Sequence, residues 1–251
     1  MAAVPRAYID NFTAALNRVS VEAQHGVLTA LASIDWTQDV AAIREQVIAI
    51  MQVWCGGATD MAGVLAAEFY DGLRAMELGA GYGAVASTGR IPAATDGAVR
   101  AFAEELVNGR QQAFVDLCVE RVDYETKIAA NENIVINAQR DSRKPRYARV
   151  PDGSETCDFC LMLASRGFVY RNDVAASHAH SGCDCRVVPS WRAYEVEGYD
   201  PVAIYGRWQE AIEAKAEERA ERKGTSFEEE RAAIMAKYAS SAKVSRQRRR
   251  L

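Results

Sequence analysis

From Tyr8 to about Arg140, apolar residues recur at spacings of three and four, the period of a helix with one buried face. Phe12, Leu16, Val19 and Val21, followed by Val27, Leu28, Leu31 and Ile34, predict a first helix with a core-facing stripe. Asp35 or Thr37 is placed to cap a second helix carrying Val40, Ile43, Val47, Ile48, Met51 and Trp54. Gly56-Gly57 reads as its left-handed stop, and Thr59 or Asp60 as the start of another helix through Met61, Val64, Leu65 and Phe69. Residues 79–97 are rich in Gly, Ser, Thr and Pro and predict a loop. Helix resumes with Val99, Phe102 and Leu106, then Phe114, Leu117, Val119 and Val122, towards Ile136. The whole pattern is that of a helical bundle. Cys55 and Cys118 sit among apolar neighbours and read as small core residues.

At Asp141 the pattern changes. "RYARVP", "GFVYR" and "CRVVPSW" alternate or carry β-favouring residues between turn signals, predicting two or three short strands in residues 141–191. A unit of that size with few large apolar side chains is expected to need something besides burial to hold it. From Pro201 the helical pattern returns, interrupted by Gly224 and a capping-like "TSFEEE". "KVSRQRRRL" reads as a basic tail without structure of its own.

Composition narrows the class. The chain is 49% hydrophobic and 25% charged with a net charge of −4, which excludes a wholly basic nucleic-acid-binding surface and leaves room for a local patch. The opening residues lack the basic start and unbroken apolar run of a secretion signal, and about 18 consecutive apolar residues occur nowhere, so a membrane span is not expected. The expected setting is cytoplasmic, where clustered cysteines point to metal or redox chemistry rather than structural disulfides.

The cluster is dense. Cys157-x-x-Cys160 supplies two sulfurs from one turn, and His180-x-x-Cys183-x-Cys185 follows about twenty residues later. Zinc takes four such ligands in a tetrahedron, paired at short spacing from two chain segments. The first choice is Cys157, Cys160, His180 and one of Cys183 and Cys185, with His178 the weaker histidine. A thiolate-rich set favours a closed, structural zinc, whose binding would hold the small unit together. A redox pair would want a βαβ context, which the surrounding pattern lacks. A catalytic zinc would want a nearby base, for which Glu155 and Asp158 are the candidates. The deaminase signature is absent, since no His-x-Glu occurs. "MELGAGYGAVA" (76–86) imitates a methyltransferase glycine motif, but Asp71 and Arg74 precede it where a buried strand should be apolar. Its glycines are expected to form an interhelical loop. The predicted fold class is therefore mainly α, with a helical domain (1–140), a zinc-stapled α+β module (141–191) and a helical C-terminal arm (192–251).

The stretch "NAQRDSRKPRYARVPDGSETCDFCLMLASRGFVY", with "HSGCDCRVVPSW" after it, resembles the MuF-like head morphogenesis proteins of tailed phages. The resemblance rests on Cys157, Cys160, Gly167-Phe168, His180, Cys183 and Cys185, and covers about residues 137–191. It implies a non-enzymatic minor capsid protein inside the phage head, made in the host cytoplasm and associated with portal, capsid or scaffold components. It implies no membrane and no small-molecule substrate. Two basic segments suit contact with packaged DNA: Arg140, Arg143, Lys144, Arg146 and Arg149, and the tail with Arg246, Arg248, Arg249 and Arg250. The alternatives are a zinc-dependent nuclease and a free nucleic-acid-binding zinc module.

Overall fold

The computed structural model describes residues 3–87, 92–153, 156–171 and 184–247. In chain order these form α1 (Arg6–Leu31), α2 (Val40–Leu78), α3 (Pro92–Phe102), α4 (Glu104–Val107) and α5 (Gln111–Arg140). Then come β1 (Arg146–Pro151), α6 (Asp158–Ala164), β2 (Cys185–Ser190), α7 (Pro201–Lys223) and α8 (Phe227–Gln247). The fold is mainly α with one two-stranded antiparallel sheet.

The helix pattern is realised with three corrections. Val21 and Leu28 do not face the core: they are 62% and 45% exposed. The buried stripe of α1 is Ile9, Phe12, Leu16, Ala23 and Val27. At about 100° per residue, positions 21 and 28 fall roughly 120–140° away from Leu16. Second, Gly56-Gly57 does not end a helix, because α2 runs unbroken from an Asp39 cap, whose carboxylate accepts the Ala41 and Ala42 N–H groups, to a left-handed Gly79 (φ 83°). Glycine serves the helix pair by closeness instead. A Cβ at Gly26 would lie 2.4 Å from the Trp54 ring, so α1 and α2 can approach only without one. Third, α8 continues through residues 243–247 of the expected basic tail. Ser226 does cap α8, its Oγ accepting the Glu229 N–H at 3.2 Å.

Two apolar clusters fill the interior. One joins α1, α2, α3 and α5 around Val27, Val47, Met51, Val99, Phe114 and Val122, with Cys55 and Cys118 buried within it as expected. Burial pushes the Cys118 thiol up to about 12, so it stays neutral. The other cluster runs through residues of all three sequence segments: Phe12, Phe69 and Ile134, then Tyr147, Leu163 and Val188, then Trp208, Ile212 and Ile234. Segment 141–191 thus shares its burial with the helices on either side. α2 is long and apolar enough to cross a membrane by length and composition alone, but its stripe from Ile43 to Leu73 is core.

Within the sheet, β1 pairs with β2 in the register Arg146↔Ser190 to Pro151↔Cys185. Tyr147 also exchanges backbone hydrogen bonds with Tyr170 on the other side, so β1 is flanked by chain along both edges at that point. Every residue of β2 is buried, as are Tyr147–Val150 of β1. A charged residue here must find its partner inside the protein.

Candidate metal centre and basic surface

Cys157 caps α6: its sulfur accepts the Cys160 N–H at 3.4 Å, and the short helix turns Cys160 inward. Antiparallel pairing then brings Cys185, the first residue of β2, beside Pro151 at the same end of the sheet. Cys160 (1% exposed) and Cys185 (0%) pack against each other, with Cys157 and Ile128 of α5 alongside. Folding therefore brings together three of the sulfurs that the sequence separates by up to 28 residues. Among the described residues, no three His, Cys, Asp or Glu side chains are disposed to hold a metal ion. His178, His180 and Cys183 lie outside the described residues, as does Glu155. Sulfur is a donor type that zinc takes, but these three sulfurs cluster without being disposed around a common ion.

The CxxC does open a helix, one of the two features of redox motifs, but the accompanying sheet is antiparallel rather than βαβ. Asp158, a candidate base for a catalytic zinc, is instead ion-paired with Lys215 of α7 and accepts the Tyr238 hydroxyl of α8 at 3.3 Å.

Arg149, grouped by sequence with the DNA-contacting cations, is a correction. It is 0% exposed, and its Nε and one terminal nitrogen both donate to Cys185 Sγ within 3.2 Å. In a strand buried on both faces, a cation cannot reach solvent. The neighbouring cations do reach it: Arg140, Arg143 and Lys144 are exposed, and the Arg146 guanidinium lies 5.4 Å from the Tyr194 ring. Arg192, also exposed, adds a cation that the sequence pattern did not single out. Lys144 (φ 44°) and Tyr194 (φ 53°) are the non-glycine residues with positive φ among the described residues, and both border this surface. Such strain persists only where surrounding contacts hold it. Arg246 falls on α8, while Arg248, Arg249 and Arg250 lie outside the described residues.

Asp141, between Arg140 and Arg143 in the chain, organises that surface from beneath. It is fully buried and accepts Arg74 Nε at 2.8 Å, Trp191 Nε1 at 3.1 Å, the Tyr70 hydroxyl at 3.2 Å and the Arg143 N–H at 2.8 Å. Burial works against its charge, but the Arg143 N–H, Arg74 and Tyr70 outweigh this and hold the carboxyl below its ordinary value.

The glycine loop is, as expected, a connection between helices, here α2 and α3. Asp71 Oδ1 accepts the Tyr82 N–H and its Oδ2 those of Gly83 and Ala84, at 2.7–3.0 Å. Arg74 donates to the Ala80 and Gly81 carbonyls, and Asn133 and Asn137 donate to the carbonyl of Val85. The asparagines were the overlooked signal. Asn131, Asn133 and Asn137 are poor helix formers on the buried face of α5, which demands polar partners there.

One turn beyond Ile128 on α5, burial pushes the Glu132 carboxyl up to about 7 from an ordinary 4.5. The folded state then binds more protons than the unfolded chain between those values, so stability falls as pH rises through that window. Allowing for its partial exposure, Glu132→Gln is expected to remove this slope and stabilise the protein by about 1–2 kcal/mol at pH 8. Urea unfolding at pH 5, 6.5 and 8 checks it: parallel pH profiles for both proteins would refute the assignment.

No curated protein and no solved structure matches this chain. The VG15 protein family matches residues 3–211, from the start of the first helix through the cysteine centre and into α7. That match embraces the helical frame, the start of α6 with Cys157 and Cys160, and the paired strands, of which β2 carries Cys185. The chain belongs to the VG15 protein family, a family of phage proteins.

Proposed function

We propose that this protein is a structural minor capsid protein of the MuF-like kind, associated with the portal inside the phage head. Cys157, Cys160 and Cys185, joined by a ligand from the His180–Cys183 segment, hold a structural zinc. The observation that carries the reading is the convergence of Cys157 and Cys160 on Cys185 from two chain segments, in a member of a phage family. A zinc at that point would tie the start of α6 to the start of β2, fixing the sheet against the helical frame without any catalytic step. Zinc supplies four-coordinate cross-linking there, and the chain supplies the sulfurs and the buried Arg149.

On this reading the exposed Arg140, Arg143, Lys144 and Arg192, with the half-buried Arg146, touch packaged DNA through its phosphates, without reading sequence. The engagement of Asp158 by Lys215 and Tyr238 favours the structural zinc over a nuclease. The test begins with elemental analysis of protein purified under reducing conditions without chelator. One zinc per chain, with thiols protected until the metal is stripped, is expected. Co-purification with the portal ring from infected cells is the second expected result. A metal-free protein that associates with no head component, or one that hydrolyses DNA, would displace this reading.

A further inference from the structure

The start of α7 carries apolar side chains that its own core does not use. Ile204, Trp208 and Ile212 turn inward, whereas Val202 is 80% exposed and Tyr205, one turn on, is 50% exposed. Large apolar side chains left in water side by side mark a surface that another molecule covers. Tyr205 is also one wall of a cleft of about 400 Å³ between α6, α7 and α8, walled further by Met162, Arg166, Trp208, Met235 and Tyr238. That volume lies in the range of clefts that hold a ligand group. The Tyr205 and Trp208 rings lie 5.7 Å apart, and Trp208 meets Tyr238 edge-on at 6.2 Å. Met162 and Met235 are unbranched and adaptable, so these walls can close on an occupant.

The polar groups decide what that occupant is. Arg166 is exposed at the rim, and its guanidinium has no acid among the described residues. Asp158, the carboxylate of this neighbourhood, is already held by Lys215 and by the Tyr238 hydroxyl. Arg231, one turn before Met235 on α8, donates to a neutral group, Gln209 Oε1, at 3.0 Å. The Trp208 Nε1–H is buried without an acceptor, an arrangement that native folds rarely leave unanswered. Two cations without a carboxylate thus frame an aromatic hollow, and the complementary occupant is apolar in its middle and acidic at its edge.

We propose that this cleft docks an acidic segment of a partner protein. A large apolar or aromatic side chain enters between Tyr205, Trp208 and Met235, and an adjacent carboxylate pairs with the fork of Arg166. A single strand of DNA would also stack on the rings, but it calls for a track of cations along its backbone. Here only Arg166 and Arg231 stand beside apolar walls. The family match ends at residue 211, so α8, with Met235 and Tyr238, completes the cleft from outside it. Docking of this kind calls on neither the cysteines nor a metal.

The experiment immobilises the full chain and selects binders from a library of random peptides, counter-selecting against the Arg166→Glu/Tyr205→Ala double variant. Both side chains are exposed, so the variant is expected to keep the wild-type circular dichroism and melting temperature. Enriched sequences should place an aromatic or leucine residue beside aspartate or glutamate. A synthetic peptide of that sequence is expected to bind each single variant about tenfold or more weakly than the wild type, and to weaken as salt rises. Trp208→Phe, which keeps a ring and loses the N–H, should weaken it by a smaller factor. No enrichment over the double variant, enrichment of basic or uncharged sequences, or equal binding by both single variants would overturn the proposal. So would a single-stranded oligonucleotide that displaces the peptide at comparable concentration, since the cleft would then be a nucleic-acid site.

Discussion

Asp141→Ala is expected to destabilise the protein by about 3–5 kcal/mol, the usual result of stripping one partner from a buried charge network. The carboxylate ties α2, the end of α5 and the residue after β2 together through Arg74, Tyr70 and Trp191. Its removal leaves the Trp191 and Tyr70 donors buried without their acceptor, and Arg74 with only the loop carbonyls of Ala80 and Gly81. For a chain of this size the melting temperature should fall by roughly 6–20 °C. Asp141→Asn, which keeps an acceptor and loses the charge, should fall between the two. The pH dependence has a definite sign. Because the folded carboxyl titrates below its ordinary 3.8, its contribution is complete above that value and is lost as acid carries the pH down through the folded value. Urea unfolding of the alanine variant at pH 7 decides the matter, and a loss under 1 kcal/mol would mean the network is not what holds this junction.

The second large effect concerns Tyr147, which is fully buried in β1, stacked on Tyr170 with ring centroids 6.1 Å apart. Removing an aromatic side chain from such a site leaves a cavity, and Tyr147→Ala is expected to cost about 3–5 kcal/mol. The informative part is how the loss is distributed. The apolar cluster containing Tyr147 also contains Phe12 and Ile134 on one side and Trp208 and Ile212 on the other. Helical circular dichroism and cysteine protection should therefore be lost in one transition at a lower denaturant concentration. Helical signal that melts at the wild-type midpoint, while the cysteines become reactive early, would show that segment 141–191 unfolds as a unit of its own.

Much of the helical frame could be read directly from periodicity. The stripe Phe12–Leu16–Val27, the run Ile43–Val47–Met51 and the cap at Gly224 are local matters of spacing and backbone conformation, and local rules found them. Gly56-Gly57 misled because a glycine pair signals a stop only if the chain has reason to turn there. In α2 the surrounding apolar stripe continues on the same face, and packing outweighs a propensity penalty of about 1 kcal/mol per glycine. Val21 and Leu28 show the converse error: hydrophobicity was counted without angular position.

The candidate site divides in the same way. That Cys157 and Cys160 belong with the later Cys183-x-Cys185 pair was legible from their short spacings, and the fold does bring Cys185 to them. Arg149 was not. In "RYARV" its charge resembles that of Arg146 three residues earlier, and although alternation puts the two on opposite faces, the pattern does not say which face is covered. What separates them is position along the sheet: Arg146 lies at the rim beside Tyr194, and Arg149 lies over Cys185 in the interior. Asp141, likewise, stands between Arg140 and Arg143 in the chain, and nothing in that stretch announces that Arg74 and Trp191 close on it. The sequence by itself determined the helical class and the core cysteines, because each depends on residue type and spacing over a few turns. Tertiary structure alone decided which charges are buried and with whom they pair, because that depends on partners tens of residues distant in the chain and on the water their meeting excludes.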